Sequence, residues 1–395
     1  MQQEPTPAHG PRVPSHTILR EWGRIGCIGF GGPPNHITLL RKLCIPRGWL
    51  SEEEFEDGLS VANLLPGPSS TQLAIFCAWR VGGPVGALIG GVAFIAPGLV
   101  AIIALAELFL ASHPPLAIEG AAAGAGAVVP AVAVAAALAL FSPSFTRAAK
   151  SAAGRVRWVL YALAGGLSAA LVGPWLVLVI VVCGAAEIVA ERPPPTREAN
   201  RPTPALAGTL AAHAVGVGGL GALAWEALKV GALSFGGGFV IIPLMQHDAV
   251  HVYHFMSAPH FLDAVALGQV TPGPVVQTVA VVGFAAHGIV GAILEAVIAF
   301  APSFVFVMVG GSHFDTIRSS LPAQAFLAGA GPAAIGAIAG SSIPLGTSLS
   351  HVWQVGVLAV AAVWLLGLRR GILPALVAAG LIGALAAIAG APVSA

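Results

Sequence analysis

The chain has 395 residues, 56% of them hydrophobic and only 9% charged, with a formal net charge of +1 and a mean hydropathy of +0.87. Soluble domains carry about 25% charged residues, so a water-facing surface around the whole chain is excluded. The net charge by itself says nothing about partners, and no nucleic-acid partner is expected.

Residues 1–17 are polar and proline-rich, lack the basic stub and apolar core of a cleavable signal peptide, and read as a tail. Apolar runs of bilayer length then follow one another, among them Val85 to Ala111, Leu116 to Phe141, Trp175 to Val189 and Ile372 to Gly390. They do not alternate as barrel strands would. The fold class expected is an all-α polytopic membrane protein. In the first half (18–190) about six segments fall near 19–40, 58–79, 85–111, 116–141, 158–173 and 175–190. The stretch "ERPPPTREANRPTP" at 191–204 reads as a polar linker and 205–223 as a connecting helix. Residues 224–395 repeat the set, giving about 12–13 transmembrane segments in total. The four cysteines, Cys27, Cys44, Cys77 and Cys183, have no paired spacing and read as packing residues; no metal site or cofactor is expected.

The halves are homologous. Phe30-Gly31-Gly32 matches Phe235-Gly236-Gly237, Pro66-Gly67-Pro68 matches Pro272-Gly273-Pro274, Gly86-Ala87 with Pro97 matches Gly291-Ala292 with Pro302, and Gly124-Ala125-Gly126 matches Gly329-Ala330-Gly331, all at an offset of 205 or 206. Four landmarks in one order at one offset mark a fused repeat. Basic loops swap sides between the copies. The connection holding Arg147, Lys150, Arg155 and Arg157 has a counterpart near Thr347 to His351 without Lys or Arg, whereas "VGPW" at Val172 has none and its counterpart carries Arg369-Arg370. By the positive-inside rule this predicts two inverted-topology repeats. The loop with Arg41, Lys42 and Arg47 runs against it, although five acidic residues from Glu52 to Asp57 follow at once.

Glycine pairs weaken a helix by roughly 1 kcal/mol per residue, so two Phe-Gly-Gly and two Pro-Gly-Pro motifs inside apolar segments predict broken helices. In hydrocarbon, irregular backbone is tolerated only where it is buried in protein or faces a cavity, and inverted repeats with broken helices are the build of secondary transporters. In "LLPGPSSTQLAIF", Pro68 suits a helix start and Ser69, Ser70, Thr71 and Gln72 follow it; in "VTPGPVVQTVAVV", Gln277 and Thr278 replace part of that cluster. Free N–H groups and the positive dipole end at such a start favour an anion. Two of them facing each other suit a tetrahedral oxyanion, whose four oxygens all accept hydrogen bonds. Whether the Pro-Gly-Pro segments cross fully or are re-entrant stays open, and the plain alternative is a packing kink.

Phe30-Gly31-Gly32-Pro33-Pro34 with His36, "LLPGPSSTQLAIF", "SFGGGFVIIPLM", "GQVTPGPVVQT" and the "APSF" at Ala301 together resemble the chromate ion transporter family in its long, two-domain form, from about Leu19 to about Gly340. The resemblance implies a multi-pass carrier of the inner (plasma) membrane that exports chromate, a sulfate-like dianion, and gives chromate resistance. The breaks and the polar residues beside them are the substrate-binding candidates, Phe30, Gly31, Gly32, Pro33, Asn35, His36, Pro66, Gly67, Pro68, Ser69, Ser70, Thr71 and Gln72, with Phe235, Gly236, Gly237, Gly238, Gln269, Thr271, Pro272, Gly273, Pro274, Gln277 and Thr278, read against hydroxyls that simply bond the preceding turn. The alternatives are a carrier of sulfate or another oxyanion, or an anion channel. A homodimer is left open.

No Walker motif is present, so energy is expected from an ion or proton gradient. Arg24 and Lys229 stand at equivalent places before each Phe-Gly-Gly, with Glu21 and Glu226 three residues back as expected ion-pair partners. Together with Arg80 they are ion-pathway candidates, read against snorkelling or structural pairing. Glu295 lies mid-segment and is the coupling candidate for protons; Glu107 lies near an end. The histidines of "HDAVHVYH" have helical metal spacing but no completing ligand, and read as a solvated loop. Hydroxyls occur without a base or metal set beside them, so the chain is not expected to be an enzyme.

Overall fold

Each half sets helices too short to cross a bilayer before helices long enough to do so. The computed structural model describes residues 12–65, 67–111, 114–171, 175–191, 219–234, 238–310 and 320–393, and every regular element among them is helical. In the first half α1 (Ser15–Ile28), α2 (Pro33–Cys44) and α3 (Glu52–Leu64) have 14, 12 and 13 residues. At 1.5 Å per residue each is about 18–21 Å long, short of a hydrocarbon core of roughly 30 Å. Next come α4 (Ser69–Phe109), α5 (Leu116–Ala148), α6 (Ala152–Leu171) and α7 (Leu176–Ala190). In the second half α8 (Leu220–Leu233) leads to a short helical stretch, Phe239–Val252, that contains α9 (Ile242–Gln246). It is followed by α10 (Ala258–Val270), α11 (Thr278–Gly310), α12 (Leu321–Thr347), α13 (Val352–Ala362, prolonged to Gly367) and α14 (Ile372–Ile388). The helices Ser69–Phe109, Leu116–Ala148, Val275–Gly310 and Leu321–Thr347 are long and apolar enough to cross a membrane. Leu171, Val309, Leu321 and Val352 stand among many large apolar side chains on the outer surface, as a lipid-facing protein requires.

The repeat read from the sequence is also a repeat of structure. Ser51 and Ser257 cap α3 and α10 by accepting the backbone N–H of Glu54 and His260. Gly67 and Gly273 have φ of 122° and 106°, and Gly83 and Gly288 have φ of 67° and 59°. At Gly83 the ψ of −161° completes a conformation essentially confined to glycine, and α4 doubles back there. A Cβ at Gly91 would stand 2.9 Å from Ile75 Cγ1, although a straight helix would hold the two residues about 24 Å apart. In α11 the reversal at Gly288 brings Gly283 against Gly291, whose carbonyl oxygen would lie 2.4 Å from a Cβ on Gly283. Each of these helices is therefore two arms, a short first arm and a long second one.

The linker at 192–204 and most of the expected connecting helix, 205–218, lie outside the described residues. Residues 220–223 belong to α8, the counterpart of α1.

The halves exchange helices. α6 and α7 of the first half pack on α12 of the second, while α13 and α14 of the second pack on α5 of the first. Small residues make this approach close. A Cβ at Gly165 would stand 1.9 Å from the Ala333 carbonyl oxygen, one at Gly336 1.8 Å from that of Ala162, and one at Gly120 2.4 Å from that of Gly383. Without a hydrophobic drive between helices in lipid, such backbone contact is how they associate.

Candidate functional site

The Pro-Gly-Pro motifs are the tips of helical hairpins. Gly58 and Phe76 are equidistant from Gly67, and a Cβ on Gly58 would lie 2.2 Å from the Phe76 ring. Glu54 and Arg80, also equidistant from that tip, form an ion pair across the hairpin's base. In the second half Gly268 and Thr278 are equidistant from Gly273, and a Cβ on Gly268 would lie 2.0 Å from Thr278 Oγ1. α3 and α10 therefore run in, and the first arms of α4 and α11 run back out. The expected segment 58–79 is a helical hairpin about Gly67 rather than one continuous helix. α1 and α2 fold likewise about Gly31 and Gly32, and the connection after α2 returns to α1, where Trp49 stacks on Trp22 at 6.2 Å and Arg47 meets Glu21 at 3.3 Å.

The tips meet across the halves. The N–H of Gly67 donates to the Ser234 carbonyl at 2.9 Å, and the N–H of Gly273 donates to the Gly29 carbonyl at 2.8 Å. Each Pro-Gly-Pro thus bonds the residue just before the other half's Phe-Gly-Gly. His36 is fully buried, and its Nε2–H donates to the same Gly29 carbonyl at 2.8 Å. Asn35 Nδ2 donates to the Phe30 carbonyl at 2.7 Å. These bonds satisfy carbonyls at the negative C-terminal ends of α1 and α8. Helical elements begin beside these tips: α2 at Pro33, α4 at Ser69, and three-residue turns at Phe239 and Val275. Of these, α4 offers the N–H groups of its first turn at Ser69 and Ser70, the kind of helix start that favours an anion, whereas α2 opens on two prolines and its Asn35 and His36 N–H groups donate to the Gly32 carbonyl.

The side chains around the tips fit the same reading. Ser69, Ser70, Thr71 and Gln72 are buried. Thr71 Oγ1, Gln269 Nε2, Ser234 Oγ, Ser303 Oγ and His36 Nδ1 are buried without a hydrogen-bond partner, a costly condition that calls for a ligand or water. Gly32 has φ 76° and ψ −160°, and a Cβ at Gly31 or Gly32 would meet nothing within 4 Å, so the Phe-Gly-Gly tip borders open space. Gly238 follows the second Phe-Gly-Gly in a left-handed conformation with φ 95°. Pro66 and Phe235-Gly236-Gly237 lie outside the described residues.

Several expected residues are placed elsewhere. The hydroxyls of Thr271 and Thr278 donate to the Leu267 and Val275 carbonyls of their own helices. Gln277 Nε2 bridges the halves, donating to the Ile95 carbonyl at 2.8 Å. Arg80 is engaged by Glu54, and Arg24 is exposed. The expected pairs Glu21 with Arg24 and Glu226 with Lys229 do not form. Glu21 meets Arg20 and Arg47, and Lys229 meets Asp248 from the stretch after α9. That stretch folds back beside α8, so a carboxylate distant in sequence displaces the helical neighbour. Of the three basic candidates, Arg80 and Lys229 are each engaged by a carboxylate.

Sequence reading missed the residues that seat the tips. A Cβ on Gly98 would lie 2.0 Å from the Pro272 carbonyl oxygen and 2.5 Å from Gln277 Oε1, so Gly98 backs the second tip; Ser303 Oγ stands 3.1 Å from a Cβ placed on Gly67 and backs the first. Ala96-Pro97-Gly98 and Ala301-Pro302-Ser303 share the offset of 205, and that was the available signal.

The family model described as "Chromate transporter" matches residues 16–188 and 221–388, one match for each half. The "Chromate transport protein" of Cupriavidus metallidurans is 30% identical over 333 residues, 82% of this chain and 80% of its own. The "Probable chromate transport protein" of Synechococcus elongatus is 29% identical over 354 residues, 87% and 88% of the two chains. A "Chromate transport protein" of Pseudomonas aeruginosa is 28% identical over 357 residues, 86% and 83%. No solved structure matches. With both halves matched and relatives of full length, this polytopic helical membrane protein belongs to the chromate transporter family.

Proposed function

We propose that this chain is a secondary carrier that exports chromate across the inner (plasma) membrane and so gives chromate resistance, with the dianion held where the hairpin tips meet. The observation that carries the reading is the reciprocal pair of tip bonds, Gly67 to Ser234 and Gly273 to Gly29. They neutralise the carbonyl ends and leave the start of α4 with Ser69, Ser70 and Thr71 to receive four oxygens. A site assembled from both halves at mid-depth suits alternating access, in which one half rocks against the other. The test is counterflow of labelled chromate and sulfate in liposomes. A saturable chromate flux supports the carrier, sulfate preferred over chromate moves the assignment to another oxyanion, and a non-saturating current makes it a channel. Replacing Ser69, Ser70 and Thr71 together by Ala removes three hydroxyls, each worth about 0.5–1.5 kcal/mol. Half-saturation for chromate is expected to rise at least tenfold at normal membrane abundance. Unchanged half-saturation would remove these hydroxyls from the site.

The reading includes inverted repeats, supported by the swap of basic loops. Reporter fusions after Arg157 and after Arg370 are both expected on the cytoplasmic side. Opposite sides for the two would end the inversion.

A further inference from the structure

Two carboxylates sit inside the second half without an ion-pair partner in contact. Glu226 of α8 and Glu295 of the second arm of α11 are both fully buried, and among the described residues no side chain hydrogen-bonds either carboxylate; Lys229 acts on Glu226 only through space, and the backbone N–H of Gly283 faces Glu295. α8 packs directly on the second arm of α11, where a Cβ on Gly231 would stand 2.0 Å from the Ala299 carbonyl oxygen, and about one turn back along each helix this packing sets Glu226 and Glu295 beside each other. An isolated buried carboxylate is costly, two near each other more so, and the usual resolution is that the pair holds a proton. Glu295 fits its place because Gly283 on the first arm has no side chain: a Cβ there would stand 2.9 Å from Glu295 Oε2.

The first half has no equivalent. The counterpart of Glu295 is Gly90, packed on Ala78 and Trp22, and the counterpart of Glu226 is Glu21, which meets Arg20 and Arg47. The asymmetry matters because packing alone needs no carboxylate at the place of Glu295, where the first half has Gly90, and because the carboxylate of Glu21, unlike that of Glu226, is held by arginines. Around the pair, among the described residues, stand the Lys229–Asp248 ion pair, Tyr253 with its ring under Lys229 Nζ at 5.8 Å, and His247 beside His251 at 5.8 Å. His251 and His254 are exposed. Titratable groups therefore run from solvent to the buried pair.

We infer that Glu226 and Glu295 together bind one transported proton, so that the second half carries the coupling ion while both halves carry the anion. This rests on the carrier reading above. Only a carboxyl O–H bond forms and breaks; the proton arrives from and returns to water. The placement gives the proton leverage on the substrate site. α8 ends at Ser234, whose carbonyl holds the Gly67 tip, and the first arm of α11 begins just after the Gly273 tip. Loss of the shared proton sets two negative charges against each other between α8 and the second arm of α11, on which the first arm packs through Gly283 and Gly291, and separates them. Its return lets them close.

The test uses the full chain in liposomes loaded with a pH-sensitive dye. Wild type is expected to accelerate chromate flux under an imposed pH gradient and to move protons when chromate is added. Glu226→Gln and Glu295→Gln, each close in shape, are expected to keep chromate–chromate exchange and to lose both the gradient response and the proton signal. Variants that keep the gradient response overturn the inference. So do variants that are inserted normally yet lose exchange, which would place the pair in substrate binding or folding. A second measurement needs no substrate: infrared difference spectra between low and high pH should show a protonated carboxyl band in wild type that is absent from both variants. If wild type fails to exchange chromate, the oxyanion reading falls, and a missing or unchanged band then decides against the proton pair by itself.

Discussion

Gly98→Ala is expected to lower chromate flux more than tenfold while the protein still inserts. The added Cβ would stand 2.0 Å from the Pro272 carbonyl oxygen, and no side-chain rotation relieves a clash with backbone. Overpacking of this kind costs about 1–3 kcal/mol, and here it falls on the tip whose Gly273 N–H holds the Gly29 carbonyl. The pseudo-equivalent change Ser303→Gly removes a side chain and adds no clash, so its flux should persist with weaker chromate affinity through loss of the unpartnered Ser303 hydroxyl. Initial flux in everted vesicles, normalised to protein in the membrane, measures both. Equal and near-normal flux in Gly98→Ala would show that the tip does not need its present seat. As a helix-interior change, Gly to Ala improves propensity by roughly 0.8–1 kcal/mol, so a loss of function cannot be ascribed to a weakened helix.

Neither half is expected to accumulate alone. Residues 1–196 would expose the face of α5 that α13 and α14 cover and the faces of α6 and α7 that α12 covers. Those faces are cut for backbone contact, as at Gly120 against Gly383 and Gly165 against Ala333, and they find no substitute partner in lipid. Each half would also leave its tip glycine N–H without the carbonyl that receives it. Co-expression of 1–196 with 197–395 is expected to restore abundance and flux together, read by membrane immunoblot and chromate uptake into everted vesicles. A single half with full transport would remove the shared site and the exchange of helices at once.

The class, the repeat and its period, and the four interruptions were legible because each rests on local composition. A bilayer demands runs of apolar residues, a duplicated chain repeats its landmarks, and Gly and Pro break helices wherever they stand. Ser69, Ser70 and Thr71 could be placed at a helix start for the same reason, since Pro68 ends the extended segment before them. Residue spacing could also mislead: Glu226 and Lys229 have helical pair spacing, yet Lys229 bonds Asp248 from another element. Propensity sees neighbours along one helix and not what folds against it.

The sequence by itself determined that this is a duplicated, helical membrane protein with broken helices in both halves, because hydropathy, period and helix breaking act over a few residues at a time. Only the tertiary structure decided that the Pro-Gly-Pro breaks are hairpin tips, that Gly67 and Gly273 reach the opposite half, and that Gly98 and Ser303 stand behind them. The contacts that make the site join residues more than a hundred positions apart, as Gln277 does with the Ile95 carbonyl. A backbone N–H carries no mark in the sequence of which distant carbonyl will receive it, so that choice belongs to the packing of one half against the other.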